Sequence, residues 1–179
     1  MTLTFRGPGR VPVTLRVNGE VSTVYVEPHR TLLDMLRNEL GLTGAKEVCG
    51  EGNCGACTVL LDGESVYSCL TLAIECEGRE VRTVEGLAKG GELHPVQAAF
   101  IEHDGYQCGY CTSGQVIAAV ALLAQNPNPT EDEVLLGMSG NLCRCGAYKG
   151  IVAAVQAAAA QAGAAGGAGG ERGRDDAQA

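Results

Sequence analysis

Three cysteines crowd one short stretch of the chain, and a fourth follows at a distance. Cys49, Cys54 and Cys57 have the spacing C-x4-C-x2-C, and Cys69 lies twelve residues after the third of them. This spacing is typical of plant-type [2Fe–2S] ligands, held by a loop that directs backbone N–H groups at the cluster. A Cys₄ zinc site is the alternative, although structural zinc prefers two short knuckles to a loop with three thiolates. The first set therefore favours a [2Fe–2S] cluster.

A second set of cysteines lies in the other half of the chain. Cys108 and Cys111 form a C-x2-C pair, and Cys143 and Cys145 form a C-x-C pair. Each pair directly precedes a segment with helical periodicity, so we expect the thiolates at helix N-termini, where free N–H groups and the helix dipole lower thiol pKa values. By spacing alone this set suits zinc as well as iron, and the choice stays open at this point.

Composition and charge exclude several other classes of function. The 179 residues carry 13 basic and 21 acidic side chains, with a net charge of −8 and a pI near 4.8, so we expect no nucleic-acid partner. No apolar run reaches the roughly 18 residues of a membrane span. The N-terminal residues show no export signal, which predicts a reducing cytoplasm. Nine cysteines in that compartment favour metal or redox ligation over disulfides.

The first half of the chain is predicted to form an α+β unit in which strands outnumber helices. Alternating valines on either side of Asn18-Gly19 predict an N-terminal β-hairpin. Thr31 is a helix cap with Asp34 three residues on, and this helix is expected to end at Gly41 and to lie across the sheet. A second hairpin and a last strand are predicted over residues 58–61, 65–69 and 80–84.

The second half changes character near Leu87, after which the predicted elements are helices. Four are expected, over residues 95–101, 112–125, a short segment capped by Thr130 and Glu133, and 148–161. Beyond Gln161 the chain is rich in Ala and Gly and then charged without periodicity, which predicts a disordered tail over residues 162–179.

Three motifs in register carry a resemblance to a known family over about residues 11–160. They are CGEGNCGACTVLLDG, YQCGYCTSGQ and SGNLCRCGAYKGI. In this order they resemble the small iron–sulfur subunits of the xanthine oxidase family of molybdenum hydroxylases. CTSGQ and CRCGAY are most similar to the bacterial aldehyde oxidoreductase branch. The chain departs from many members at Val48, Ser113 and Gly146-Ala147, where those members have Gly, Pro and a Thr-Gly pair, but none of these positions is a ligand.

The resemblance implies a fold and a set of ligands. The implied fold class is α+β, with an N-terminal β-grasp, plant-type ferredoxin-like domain at 11–86 and an all-α four-helix [2Fe–2S]-binding domain at 87–161. The implied ligands of the first cluster are Cys49, Cys54, Cys57 and Cys69. Those of the second cluster are Cys108, Cys111, Cys143 and Cys145. In the family, the residue that matches Gln107 hydrogen-bonds the pterin, and the residue that matches Cys145 lies beside the pterin's amino group.

The resemblance also implies an electron-transfer role within a larger complex. Electrons would pass from a molybdopterin cytosine dinucleotide site on a large partner subunit to the Cys108 cluster, then to the Cys49 cluster and out to FAD on a medium partner subunit. This chain would hold no catalytic residue of the substrate site. Besides aldehydes, the substrates of such complexes include carbon monoxide, purines or N-heteroaromatics, and hydroxybenzoyl-CoA-type thioesters. An alternative of another class is a stand-alone ferredoxin-like carrier with a zinc-stabilised helical domain.

The remaining candidate residues have plainer interpretations. Cys76 lies outside both sets and is interpreted as a half-buried strand cysteine. His94 is interpreted as a loop or cap residue, since no ligand spacing joins it to another histidine. Arg144 lies between two predicted ligands, where it either offsets the charge of a cluster or is simply exposed. Tyr110 and Tyr148 are predicted to pack beside the second set.

Overall fold

A computed structural model describes residues 9–167 of the chain. Within this range five strands form one mixed sheet in the order β2-β1-β5-β3-β4. Strands β1 and β5 are parallel, and the other neighbouring strands are antiparallel. The strands are β1 (Val11–Val17), β2 (Glu20–Val26), β3 (Thr58–Leu61), β4 (Glu64–Tyr67) and β5 (Glu80–Arg82).

Both predicted hairpins are present and turn at the predicted residues. Asn18 and Gly19 have φ values of 52° and 91°, and Asp62 and Gly63 have φ values of 52° and 89°. Two consecutive residues with positive φ form the turn that matches the twist of antiparallel strands. Strand β4 ends at Tyr67 rather than at residue 69, and β5 ends at Arg82 rather than at residue 84. After Tyr67 the chain leaves the sheet, which brings Cys69 to the first cysteine loop.

The predicted helix after the first hairpin is only partly α-helical. It begins as α1 (Leu32–Asp34), where the Thr31 hydroxyl accepts a hydrogen bond from the Asp34 amide at 3.0 Å, as predicted. It then widens into a π-helical turn over Met35–Glu39. The prediction of a regular α-helix to Gly41 is therefore wrong beyond Asp34. The core that this segment completes consists of Leu32, Leu33, Met35 and Leu36 with Val13, Leu15, Val17, Val24, Val26, Val59, Leu61 and Val81.

The helices of the second half are α2 (Pro95–Glu102), α3 (Thr112–Gln125), α4 (Glu131–Gly137) and α5 (Tyr148–Gly167). The His94 imidazole caps α2 by accepting a hydrogen bond from the Val96 amide at 3.3 Å, as predicted. Helix α5 continues past Gln161, so residues 162–167 are helical rather than part of a disordered tail. Residues 168–179 of the predicted tail lie outside the described residues. No helix in the described part is long and apolar enough to cross a membrane.

The two halves of the chain meet at strand β3, which is buried along its whole length. Val59 and Leu61 face the core of the sheet, whereas Leu60 belongs to the core of the helices with Phe100 and Ile117. Alternating side chains of one strand therefore serve both cores. Because the first cysteine loop leads directly into β3, that loop lies where the two halves join.

Candidate metal centres

The structure brings the four cysteines of the first set together. Cys57 and Cys69 are buried, and Cys49 and Cys54 are half-buried on the loop before β3. The thiols form two pairs. The Cys54 thiol donates a hydrogen bond to the Cys49 sulfur, and the Cys69 thiol donates to the Cys57 sulfur.

Backbone amides of the loop point at the sulfur of Cys49. The amides of Glu51, Asn53 and Cys54 donate to it, and these hydrogen bonds lower the pKa of the Cys49 thiol to about 6. The Asn53 nitrogen lies 3.3 Å from the sulfur. A thiol with this pKa is mostly thiolate at neutral pH, and the thiolate is the form that binds metal. At Cys69 burial has the opposite effect and raises the thiol pKa to about 11.

The second set is also assembled from both of its motifs. Cys108 and Cys145 are exposed, Cys111 is half-buried and Cys143 is buried. Cys145 donates a hydrogen bond to Cys108, and Cys111 donates to Cys143. Each pair therefore takes one cysteine from the C-x2-C motif and one from the C-x-C motif. One pair faces outward and the other lies inside.

Amide groups also surround the sulfur of Cys143. Burial raises the pKa of this thiol, but the amides of Ala147, Gly146 and Cys145 donate to the sulfur and hold its pKa below the ordinary value. The Ala147 nitrogen lies 3.4 Å from the sulfur. Cys111 has no comparable set of donors, and burial raises its thiol pKa to about 12. The second loop thus stabilises negative charge on sulfur as the first loop does.

The arrangement of these donors fits a two-iron cluster at each site. In a [2Fe–2S] cluster held by four cysteines, each iron binds two of them, which corresponds to two thiol pairs. Backbone N–H groups directed at sulfur are the usual partners of an anionic cluster.

The first turn of α3, directly after Cys111, contains buried oxygens without a partner. Within the described residues Thr112 Oγ1, Ser113 Oγ and Gln115 Oε1 are buried and accept or donate no hydrogen bond. Buried polar atoms in folded proteins nearly always have a partner. Their concentration beside a predicted ligand is consistent with a polar or charged group bound at the second set.

Gln107 and the second cysteine loop share one open cleft. Gln107 is exposed and lines a cleft of about 690 Å³ together with Tyr106 and Gly146. Gly146 follows the exposed Cys145 directly. The two residues implied by the family resemblance to face a pterin therefore lie on the same side of the molecule.

Two of the plainer interpretations are corrected by the structure. Cys76 is completely buried, at 0% exposure, in a 3-10 turn at Ala73–Cys76, and is not a half-buried strand residue. It lies on a turn because the chain curls there to cover the sheet core before β5. Tyr148 does more than pack, because its hydroxyl accepts a hydrogen bond from the Cys143 amide at 3.0 Å. Arg144 is exposed, as one of its two interpretations expects.

Tyr110 lies between the two cysteine loops. Its hydroxyl donates a long hydrogen bond of 3.5 Å to the Glu47 carbonyl, and the Lys46 ammonium lies 5.9 Å from the centre of its ring. Lys46 and Glu47 directly precede the first loop. The aromatic ring of the C-G-Y-C motif therefore contacts the neighbouring site as well as its own.

Sequence reasoning missed Asn141, a buried residue whose side chain joins the second loop to the first. It is 6% exposed, and its amide nitrogen donates to the Gly55 carbonyl at 2.9 Å. The signal in the sequence was its position two residues before Cys143, within SGNLCRC. An Asn beside a turn is ordinarily read as a local turn former, which hides a contact to a distant loop.

Comparison with known proteins identifies both halves of the chain. Residues 15–88 match the family model described as a 2Fe-2S iron-sulfur cluster binding domain. Residues 83–156 match the model described as a [2Fe-2S] binding domain. The matches meet near the predicted boundary between the two halves, and each contains one complete set of four cysteines.

Individual relatives and solved structures agree with these matches. The aldehyde oxidoreductase iron-sulfur-binding subunit PaoA of Escherichia coli (strain K12) is 48% identical in an alignment 166 residues long, which covers 84% of this chain and 72% of the relative. Quinoline 2-oxidoreductase from Pseudomonas putida 86 has a TM-score of 0.83 and 45% identity, covering 87% of this chain and 97% of the matched chain. The aldehyde oxidoreductase from Desulfovibrio desulfuricans ATCC 27774 has a TM-score of 0.82 and 42% identity, covering 86% of this chain but 17% of that longer one.

Because these matches cover more than four fifths of this chain, they include parts of both its sheet half and its helical half. For the second set, the matching family model describes a [2Fe-2S] cluster and not zinc. The chain belongs to the electron-transferring [2Fe–2S] iron–sulfur subunits of the xanthine oxidase family of molybdenum hydroxylases, which are components of oxidoreductase complexes.

Proposed function

We propose that this chain passes electrons from a molybdopterin site on a large partner subunit to an FAD on a medium partner subunit. The proposed assembly is a cytoplasmic heterotrimer, because cysteines that serve as cluster ligands rather than as disulfides suit a reducing compartment. The proposed architecture of the chain is a β-grasp domain at 11–86 and a four-helix domain at 87–161. The proposed ligands of the first cluster are Cys49, Cys54, Cys57 and Cys69, and those of the second are Cys108, Cys111, Cys143 and Cys145.

One observation carries this function. Each of the two cysteine sets converges as two thiol pairs, and the two sets lie on loops that are hydrogen-bonded to each other. When bound, a [2Fe–2S] cluster accepts and releases a single electron. Two such carriers on adjoining loops form a route with two ends, so a donor and an acceptor on other subunits are required.

The open cleft beside the second set supports its assignment to the molybdopterin side. Gln107 presents an exposed amide with both donors and acceptors there. A pterin has a polar edge that such an amide can hydrogen-bond. The exposed Cys145 lies next to the cleft, which is where a short path from pterin to cluster requires a ligand.

Apolar side chains beside the first set support a protein partner on that side. Val48, directly before Cys49, is 56% exposed, and Leu70, directly after Cys69, is 60% exposed. Exposed apolar residues next to a redox site favour a covering subunit, because they would otherwise lie in water. We assign this surface to the FAD-binding subunit.

The proposed substrate is an aldehyde, which is oxidised on the large subunit. The name of the Escherichia coli relative supports this choice. The name of the Pseudomonas putida structure makes an N-heteroaromatic compound the alternative. The substrate pocket belongs to another chain, so the residues of this chain move electrons and hold no substrate.

The test is anaerobic isolation of the chain from its native host with whatever subunits co-purify. We expect a molybdenum- and FAD-containing complex with about four iron atoms per copy of this chain, two for each cluster. Addition of an aldehyde should bleach the visible absorbance of the clusters. Bleaching by quinoline and not by aldehydes would show that the substrate is an N-heteroaromatic compound instead of an aldehyde. About two iron atoms and one zinc, with no large partner, would contradict the proposal and favour a stand-alone ferredoxin-like carrier.

A further inference from the structure

One backbone hydrogen bond joins the two cysteine loops just before Cys143. The backbone amide of Leu142 donates a hydrogen bond of 2.9 Å to the carbonyl of Cys54. Cys54 is a proposed ligand of the first cluster, and Leu142 is bonded directly to Cys143, a proposed ligand of the second. One hydrogen bond therefore connects the two ligands, and the rest of the path between them is covalent.

The side chain of Asn141 holds this contact in place. Its amide nitrogen donates to the Gly55 carbonyl at 2.9 Å and to the Thr58 hydroxyl at 3.2 Å. Its own backbone carbonyl accepts a hydrogen bond of 2.8 Å from the buried side chain of Gln115 in α3. Asn141 is thus tied to the first loop, to β3 and to the helix that follows Cys111.

The carbonyl of Gly55 is a fixed anchor for this side chain. It accepts hydrogen bonds from the Thr58 amide at 3.1 Å, from the Thr58 hydroxyl at 2.6 Å and from Asn141. A second tie lies alongside, where the Tyr67 hydroxyl donates to the Gly140 carbonyl at 2.8 Å. The segment before Cys143 is therefore held on both sides of the Leu142 contact.

We propose that Asn141 is a positioning residue for electron transfer, which holds the Leu142 amide against the Cys54 carbonyl so that Cys54 and Cys143 form the connection between the two clusters. This inference rests on the proposed ligand sets. The step moves one electron from the second site to the first. The second site loses that electron and is oxidised, the first site gains it and is reduced, and no bond forms or breaks.

A physical reason favours this path over the other contacts between the halves. Electron tunnelling decays less steeply through covalent and hydrogen bonds than across a gap between side chains, so a path with a single hydrogen bond dominates. The rate and the magnetic interaction between the sites both depend steeply on their separation. A buried amide that donates two hydrogen bonds keeps that separation constant, because breaking these bonds would leave buried polar groups without partners.

The test compares three variants of the chain in the complete complex. Asn141→Ala removes both donated hydrogen bonds. Tyr67→Phe removes only the neighbouring hydrogen bond to the Gly140 carbonyl and should leave the fold intact, because the ring that packs against the sheet core is kept. Asn128→Ala makes the same chemical change as the first variant on the exposed loop between α3 and α4, away from both cysteine sets. Iron and acid-labile sulfide are measured first, so that each variant is compared at equal cluster content.

The readout is the splitting of the electron paramagnetic resonance signals after complete reduction with dithionite, when both sites are paramagnetic and interact. We expect Asn141→Ala to lose or broaden the splitting at full iron content, and Tyr67→Phe to shift it in the same direction but less. Asn128→Ala should match the wild type. The rate of intercluster equilibration after flash reduction should fall in the same order.

An unchanged splitting in Asn141→Ala at full iron content would overturn the inference. If Asn141→Ala loses iron instead, the result for Tyr67→Phe decides. A splitting in Tyr67→Phe identical to that of the wild type would then contradict the proposal. Failure of the ligand assignment looks different, because the wild-type complex would then lack two distinct cluster signals.

Discussion

Gly114, in the first turn of α3, lies directly against the carbonyl of Gly55. A Cβ atom at position 114 would stand 2.3 Å from that oxygen and 3.1 Å from the Cα of Ala56. Both neighbours are backbone atoms of the first cysteine loop and cannot rotate away. The helix that begins after Cys111 therefore packs against the loop that carries Cys54 and Cys57. At this contact the helix has room only for glycine.

The first prediction concerns the packing contact between Gly114 and the Gly55 carbonyl. Gly114→Ala should destabilise the chain by about 1–3 kcal/mol, the usual cost of overpacking, although Ala in place of Gly within a helix ordinarily stabilises. The measurement is the urea midpoint of unfolding together with the iron content.

Gly137→Ala is the matched control for this prediction. It makes the same change at the end of α4, where the new Cβ would meet the ends of the Leu122 side chain at 2.7 Å and 2.9 Å. Leu122 is only partly buried and can rotate. The free energy of unfolding of Gly137→Ala should stay within about 1 kcal/mol of the wild-type value. Equal midpoints for the two variants would contradict the backbone contact at Gly114.

The second prediction tests the ligand sets. Cys111→Ser replaces a thiolate with a poor iron ligand, so one of the two cluster signals in the paramagnetic resonance spectrum should disappear and about half of the iron should be lost. Cys76→Ala serves as the control, because Cys76 belongs to neither cysteine set and is buried in the core of the sheet, where its thiol donates a hydrogen bond to the Leu72 carbonyl at 3.7 Å. The control should keep both signals. Two intact signals in Cys111→Ser would refute the assignment of the second set.

The third prediction concerns the hydrogen bond between Tyr148 and Cys143. Tyr148→Phe leaves the Cys143 amide without its acceptor, which should cost about 1 kcal/mol of stability. The second cluster should then release iron to a chelator faster, while the first is unaffected. Tyr25→Phe, at an exposed position on β2, is the control and should behave like the wild type. An unchanged rate of iron release from the second cluster of Tyr148→Phe, compared with the wild type, would contradict a local role for Tyr148.

The fourth prediction is a pH dependence at His94. Burial, and then the positive charges of Arg82 and Lys89, hold the pKa of His94 below its ordinary value of 6.5. As the pH falls through about 6.5, the His94 imidazole is protonated more readily in the unfolded chain than in the folded chain. The free energy of unfolding therefore decreases as the pH drops from about 7 to 5. Protonation also removes the acceptor that caps α2.

The measurement for His94 is the urea midpoint across this range in the wild type and in His94→Asn, which retains a capping oxygen that does not titrate. The free energy of unfolding of the variant should depend less steeply on pH over this range. Carboxylates contribute equally to both proteins, so the difference between the profiles isolates His94. Parallel profiles would show that the imidazole does not titrate with folding.

Local features of this chain could be predicted from short segments of sequence. The turns at Asn18-Gly19 and Asp62-Gly63 and the caps at Thr31 and Thr130 all appear where expected. Each depends on residues within four positions of one another. The π-helical turn after Asp34 and the burial of Cys76 were not predicted, because both depend on packing against parts of the sheet that are distant in sequence.

The sequence by itself indicated the chemistry, since metal binding depends on the ligand atom and on how many residues separate the ligands along a loop. Which thiols pair with each other, and which side of each set faces outward, were decided only by the tertiary structure. The same holds for the contact between Asn141 and Gly55, which are 86 residues apart. A contact at that separation exists only after two cores have packed against β3, and no spacing along the chain records it.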